Sequence, residues 1–159
     1  MQVLVLLGPN LNLLGHISRG SAERLTLSRL QVALRKACSS RAVKIRLLQT
    51  DDEVRACRVV KSQRKRSAGV LLVPGLWAGT GAQLRETLEI LNLPLAVYHL
   101  TPPQGPWRRA EESLFSQIAV VEASGPGLEG LLALVSRFLD QLPPDQPSRS
   151  ARTRPPHPQ

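Results

Sequence analysis

Two short stretches of the chain carry side chains suited to chemistry. Gly8-Pro9-Asn10-Leu11-Asn12-Leu13-Leu14-Gly15 places two asparagines in a loop bounded by Gly and Pro. Their amides could donate to an oxyanion or hold a water, or could close local turns, and composition alone does not choose. His99-Leu100-Thr101-Pro102-Pro103 sets an imidazole beside a hydroxyl and backbone N–H groups. That neighbourhood suits proton transfer or anion binding better than a purely structural histidine. Trp107-Arg108-Arg109 follows closely and could supply a cation for a carboxylate or phosphate. Gly125-Pro126-Gly127-Leu128-Glu129-Gly130 has the form of a dinucleotide fingerprint, but it precedes the last helical pattern. No strand–helix–strand unit follows it and no acidic residue can take a ribose, so it reads as a tight turn with close helix packing.

The elements that must position these residues alternate along the chain. Residues 2–7 form an apolar run that breaks at Gly8-Pro9-Asn10, the pattern of a buried strand. Leu27, Leu30, Leu34, Ala37 and Cys38 fall on one helical face, with Thr26 at the N-cap position. A second strand is predicted over 43–48 and a helix from Asp51 to Arg64. A third strand runs from Gly69 to Val73, a helix covers 81–91, and a fourth strand runs from Pro94 to His99. Ile118 to Val121 reads as a short fifth strand, and Leu128 to Leu142 as an amphipathic helix. Apolar strands alternating with helices predict an α/β fold, a flavodoxin-like five-stranded parallel sheet with helices on both faces. Ligands of such sheets bind beyond the carboxyl ends of the strands, where the Asn10 loop and His99 fall.

Composition bounds the remaining classes. The 159 residues fit one domain, taken as 1–142, with 143–159 a Pro/Arg/Ser-rich tail expected to be disordered. The apolar runs are strand-sized, too short to cross a bilayer, and Met1 to Leu7 lacks the features of a secretory signal. Cys38 and Cys57 read as small core residues of a reducing compartment, which points to the cytoplasm. The formal charge of +9 lies partly in the tail (Arg149, Arg152, Arg154) and partly at a helix end (Lys61, Arg64, Lys65, Arg66). That helix opens with Asp51, Asp52 and Glu53, so its charges follow the helix dipole. No aromatic residue interleaves with the basic runs, and nucleic-acid binding is the lesser reading.

With these motifs in order, the chain resembles the type II 3-dehydroquinate dehydratase family from the GPNLNLLG loop to about residue 140. Thr26-Leu27 resembles the start of that family's first helix, and Gln49-Thr50-Asp51-Asp52-Glu53 its strand-to-helix junction. Pro74-Gly75, Thr80 and Leu84-Arg85-Glu86 resemble its N-P/A-G-x-x-T-H-T-S-x-x-L-R-D stretch. Val97 to Thr101 falls on E-V-H-[LI]-S, Ser113 to Ala119 on S-Y-L-S-P-I-A, and Gly125 to Leu134 on G-x-G-x-x-G-Y-L-L-A-L.

The resemblance implies trans-elimination of water from 3-dehydroquinate in the shikimate pathway of aromatic biosynthesis, without metal or organic cofactor. It also implies trimers assembled into a dodecamer. It assigns Asn10 to the water that stabilises the enolate and His99 to the general acid. Leu100 and Thr101 become the carboxylate-binding pair, their backbone N–H groups being the expected donors. Glu86 replaces an aspartate that reaches a neighbouring subunit, keeps its charge, and is counted among the substrate-binding residues. In the family a lid tyrosine, made acidic by an arginine, removes the C2 proton. Here those positions hold Ala22 and Ile17, and His16 to Arg24 contains no tyrosine. Val73 and Gly79 replace a substrate-binding asparagine and histidine, and Val97 replaces the glutamate that orients the acid. The late substrate arginine falls on Ala110, with Arg109 one position away as its substitute. Tyr98, adjacent to His99 on a strand, faces the other way and cannot replace the base. The expectation is a weak or inactive dehydratase-like protein, or a non-catalytic binding or assembly subunit on the same fold.

Overall fold

The computed structural model describes residues 1–20, 22–102, 106–107 and 112–144. Five parallel strands alternate with helices: β1 (Gln2–Leu7), β2 (Lys44–Gln49), β3 (Gly69–Val73), β4 (Leu95–Leu100) and β5 (Val121–Gly125). The helices are α1 (Leu14–Ile17), α2 (Leu27–Ser39), α3 (Glu53–Gln63), α4 (Trp77–Thr80), α5 (Ala82–Leu91) and α6 (Leu128–Gln141), with a 3₁₀ turn at Leu11–Leu13. The strand order β2-β1-β3-β4-β5 is the doubly wound, flavodoxin-like arrangement that the alternating pattern predicts.

The apolar strands are buried on both faces and divide the core in two. Val3, Val5, Leu7, Val73 and Tyr98 pack beneath Leu30, Leu34 and Cys38 of α2 and Leu131, Leu134 and Phe138 of α6. On the other face Leu4, Leu6, Leu72 and Val97 meet Ala56, Cys57 and Val60 of α3 and Leu84 and Leu88 of α5. Each cysteine therefore belongs to a different layer, and both are free thiols. Local chemistry sets the helix starts. The Thr26 hydroxyl accepts from the Arg29 N–H, and the Asp52 carboxylate accepts from the Arg55 N–H. Among the described residues no helix is long and apolar enough to cross a membrane.

The fifth strand departs from the sequence expectation. Ile118 closes a turn after Phe115, whose carbonyl accepts from the Ile118 and Ala119 N–H groups, and the Val120 N–H donates to the Leu95 carbonyl. The strand begins at Val121 and runs through the mixed segment Val-Glu-Ala-Ser-Gly. As an edge strand it need not be apolar on both sides, so the most apolar stretch nearby was a misleading guide to its position. Residues 108–111 and 145–159, which include Arg109, Ala110 and most of the expected tail, lie outside the described residues.

Candidate active site

The Asn10 loop leaves β1 in a strained but well-pinned geometry. Asn10 has φ 64° and ψ 5°, a left-handed conformation that asparagine tolerates better than most residues. Its backbone N–H donates to Asp51 Oδ1 at 3.0 Å, and its carbonyl accepts from Leu13. Gln49 Nε2, from the end of β2, lies 3.3 Å from both Asp51 Oδ1 and the Gly8 carbonyl. Among the described residues the Asn10 side-chain amide makes no cap hydrogen bond and stands exposed. The backbone thus closes the turn, and the amide is left for a ligand or a water. Gly8 is obligatory here: a Cβ would sit 2.1 Å from the Pro74 carbonyl oxygen, so the loops after β1 and β3 touch backbone to backbone.

His99 lies near the end of β4 and is 2% exposed. Its Nε2 lies 2.7 Å from Glu122 Oε1 on β5, and the Ser116 hydroxyl donates to the same oxygen at 2.7 Å. Val97 does stand where the resemblance places an orienting glutamate, and a different carboxylate lies beside His99. Val97 is buried in the apolar layer, but its register partner across the sheet is Glu122. Side chains alternate along a strand, so residues 97 and 99 of β4 share a face with 122 and 124 of β5. The carboxylate reaches the histidine from the neighbouring strand. Sequence reading missed Glu122 and Ser116 because the fifth strand was placed too early. The available signal was the polar alternation of Glu122 and Ser124 beside a strand carrying a histidine.

A second correction concerns the expected anion-binding backbone. The Thr101 N–H donates to the Gly125 carbonyl at 2.8 Å, extending the β4–β5 ladder, and is not open to a carboxylate. Successive N–H groups of a strand point to opposite neighbours, so that of Leu100 points toward β3. The β3–β4 pairing ends at Val97, which leaves Leu100 N–H beyond its last rung. The pair Leu100 and Thr101 can therefore offer one backbone N–H and one hydroxyl. Glu86 lies on the exposed side of α5.

Tyr98 is excluded as a base by its position. Its hydroxyl donates to the Gly127 carbonyl at 2.8 Å on the opposite face of the sheet, and burial pushes its pKa upward. A Cβ on Gly125 or Gly130 would stand 2.6 or 2.8 Å from that hydroxyl. Gly125 and Gly130 of the fingerprint-like segment accordingly make room for Tyr98, and the close packing expected from the sequence has a named cause. The lid positions Ile17 and Ala22 present no titratable group, and His16 is exposed on α1. A cavity of about 230 Å³ beside the lid is lined by Leu14, Ala22, Leu25, Pro102 and Pro126, with Glu23 at its wall. Its lining is mostly apolar and includes neither Asn10 nor His99. Among the described residues no group of three or more His, Cys, Asp or Glu side chains could hold a metal ion.

Comparison with known proteins matches residues 1–139 to the Dehydroquinase class II family. The chain belongs to that family. Among curated members it is 31% identical over 142 residues to 3-dehydroquinate dehydratase 2 of Pseudomonas putida, covering 88% of this chain and 94% of that one. It is 26% identical over 141 residues to the 3-dehydroquinate dehydratase of Herpetosiphon aurantiacus, covering 89% of this chain and 98% of that one. The type II dehydroquinase structure from Butyrivibrio crossotus superposes with a TM-score of 0.75 at 19% identity, covering 87% of this chain and 97% of that one. At that identity the superposition speaks to the fold of the class II dehydroquinases and not to this chain's chemistry.

Proposed function

We propose that this class II dehydroquinase-family protein binds 3-dehydroquinate or a similar small carboxylate at the carboxyl edge of its sheet and dehydrates it weakly or not at all. The observation that carries this reading is an asymmetry in the site. The acid side keeps a buried histidine on a carboxylate, His99 with Glu122, while the lid holds Ala22 and Ile17 where a base and its partner would stand.

In this reading the ligand carboxylate meets Leu100 N–H, the Thr101 hydroxyl and Arg109, and the Asn10 amide holds the water facing the enolate oxygen. His99 would protonate the departing hydroxyl. Ala22 stands at the position of the family's base, so the first proton, on carbon, lacks that acceptor. General-base catalysis commonly contributes about 10²–10⁴-fold, and without it turnover should fall by that order. Val73 and Gly79 also leave ligand hydroxyls unmatched on burial, which weakens binding.

The test is the purified protein with 3-dehydroquinate, following the absorbance of the enone product. A rate at least about a thousandfold below that of a tyrosine-containing family member is expected. A normal rate would overturn the proposal and require a base elsewhere. No turnover together with no binding of 3-dehydroquinate or quinate would favour an assembly subunit that keeps only the fold.

A further inference from the structure

We infer that Glu122, held by Ser116, is the residue that positions His99, so that proton exchange with a ligand runs through Nδ1 alone. The inference deepens the functional reading above, and its chemical step rests on that reading, but the positioning itself can be tested without turnover.

An imidazole has two nitrogens, and whichever one is hydrogen-bonded to a carboxylate is fixed as the N–H. Here Glu122 Oε1 takes Nε2 at 2.7 Å. The side chains of His99 and Glu122 are 1% and 24% exposed, so water competes poorly for the contact. Ser116 Oγ donates to the same carboxylate oxygen, fixing the rotamer of Glu122 as Glu122 fixes the ring. Ser116 is itself anchored. The Leu114 N–H donates to the Ala78 carbonyl at 2.8 Å, and the intervening Phe115 is fully buried. The three side chains come from β4, β5 and the turn before β5, and the alignment of β4 with β5 holds them in register.

The alternative is that Glu122 merely satisfies a buried histidine. A serine donating to the same oxygen favours positioning, because it holds the carboxylate in one orientation that satisfying Nε2 alone would not require. To act as the acid His99 must carry both protons, Nε2–H on Glu122 and Nδ1–H for the ligand. The ligand's C–O bond breaks with its electron pair on oxygen, and the enolate's electrons form the new C=C bond. The departing oxygen takes the Nδ1 proton and leaves as water. Neutral His99 retains Nε2–H toward Glu122, which neither gains nor loses a proton in the step.

The experiment is ¹⁵N NMR of the imidazole rings in the full chain. His16→Gln and His157→Gln substitutions leave His99 as the sole histidine. Neutral His99 is expected almost wholly as the Nε2–H tautomer. Glu122→Val should release it to a mixture, and Ser116→Ala should do so partially. Val97→Glu combined with Glu122→Val returns a carboxylate to the shared face and should restore the Nε2–H form. An unchanged tautomer in Glu122→Val, or in Ser116→Ala if the valine variant does not fold, overturns the inference. If dehydration is measurable, Glu122→Val should lower kcat about 10–100-fold, with KM little changed. A protein that neither binds nor turns over 3-dehydroquinate, yet shows the tautomer pattern, would refute the functional reading and leave the positioning intact.

Discussion

Tyr98 and Gly130 show how one residue's demands dictate another's identity. The tyrosine sends its hydroxyl to Gly127 through a space that exists only because residues 125 and 130 lack a Cβ. Gly130→Ala should therefore destabilise the protein by about 1–3 kcal/mol through overpacking, although alanine is the better helix former. Combining it with Tyr98→Phe removes the crowded oxygen, so the double variant should lose less than the sum of the two single losses. Urea unfolding of the four proteins measures this. Additive losses would mean the clash is relieved elsewhere.

At the scale of elements, the junction from β2 to α3 governs the candidate site. Asp51 receives Asn10 N–H while Asp52, one residue later, caps α3. The two substitutions should separate. Asp52→Ala should cost about 0.5–2 kcal/mol of stability, as for other N-caps, and leave ligand binding nearly unchanged. Asp51→Ala should weaken binding of quinate, read by calorimetry, with a smaller effect on unfolding, because it frees a loop and not a helix. Equal effects on binding would show that the Asn10 loop holds its shape unaided. The same comparison explains what could be read from the sequence. Periodicity and caps revealed every helix of eight or more residues and four of the five strands, since those depend on local spacing. The four-residue helices α1 and α4 gave no such pattern. The places of Asn10 and His99 were legible because they end or follow strands at the carboxyl edge of the sheet. Glu122 was not, because its role arises from cross-strand register with β4, which no local pattern reports. The commitment of Thr101 N–H to Gly125 was hidden for the same reason.

For the molecule as a whole, the described chain leaves apolar surface uncovered. Ile90 on α5 is 74% exposed and Val32 on α2 is 65% exposed. Glu86 and Ile90 are four residues apart and share one face of α5, the helix that the family resemblance places at a subunit contact. The protein should sediment as a multimer, and Ile90→Asp should shift it toward smaller species. A stable monomer before any substitution would mean that this face no longer serves assembly. The division of the core has a further use. Cys38 lies under α2 and α6, Cys57 under α3 and α5, and burial raises the pKa of each thiol. A thiol reacts as thiolate and only when uncovered, so nature has placed one silent label in each layer. The order in which the two become modifiable as denaturant rises would show whether the sheet sheds both its coverings in one event or loses one side first.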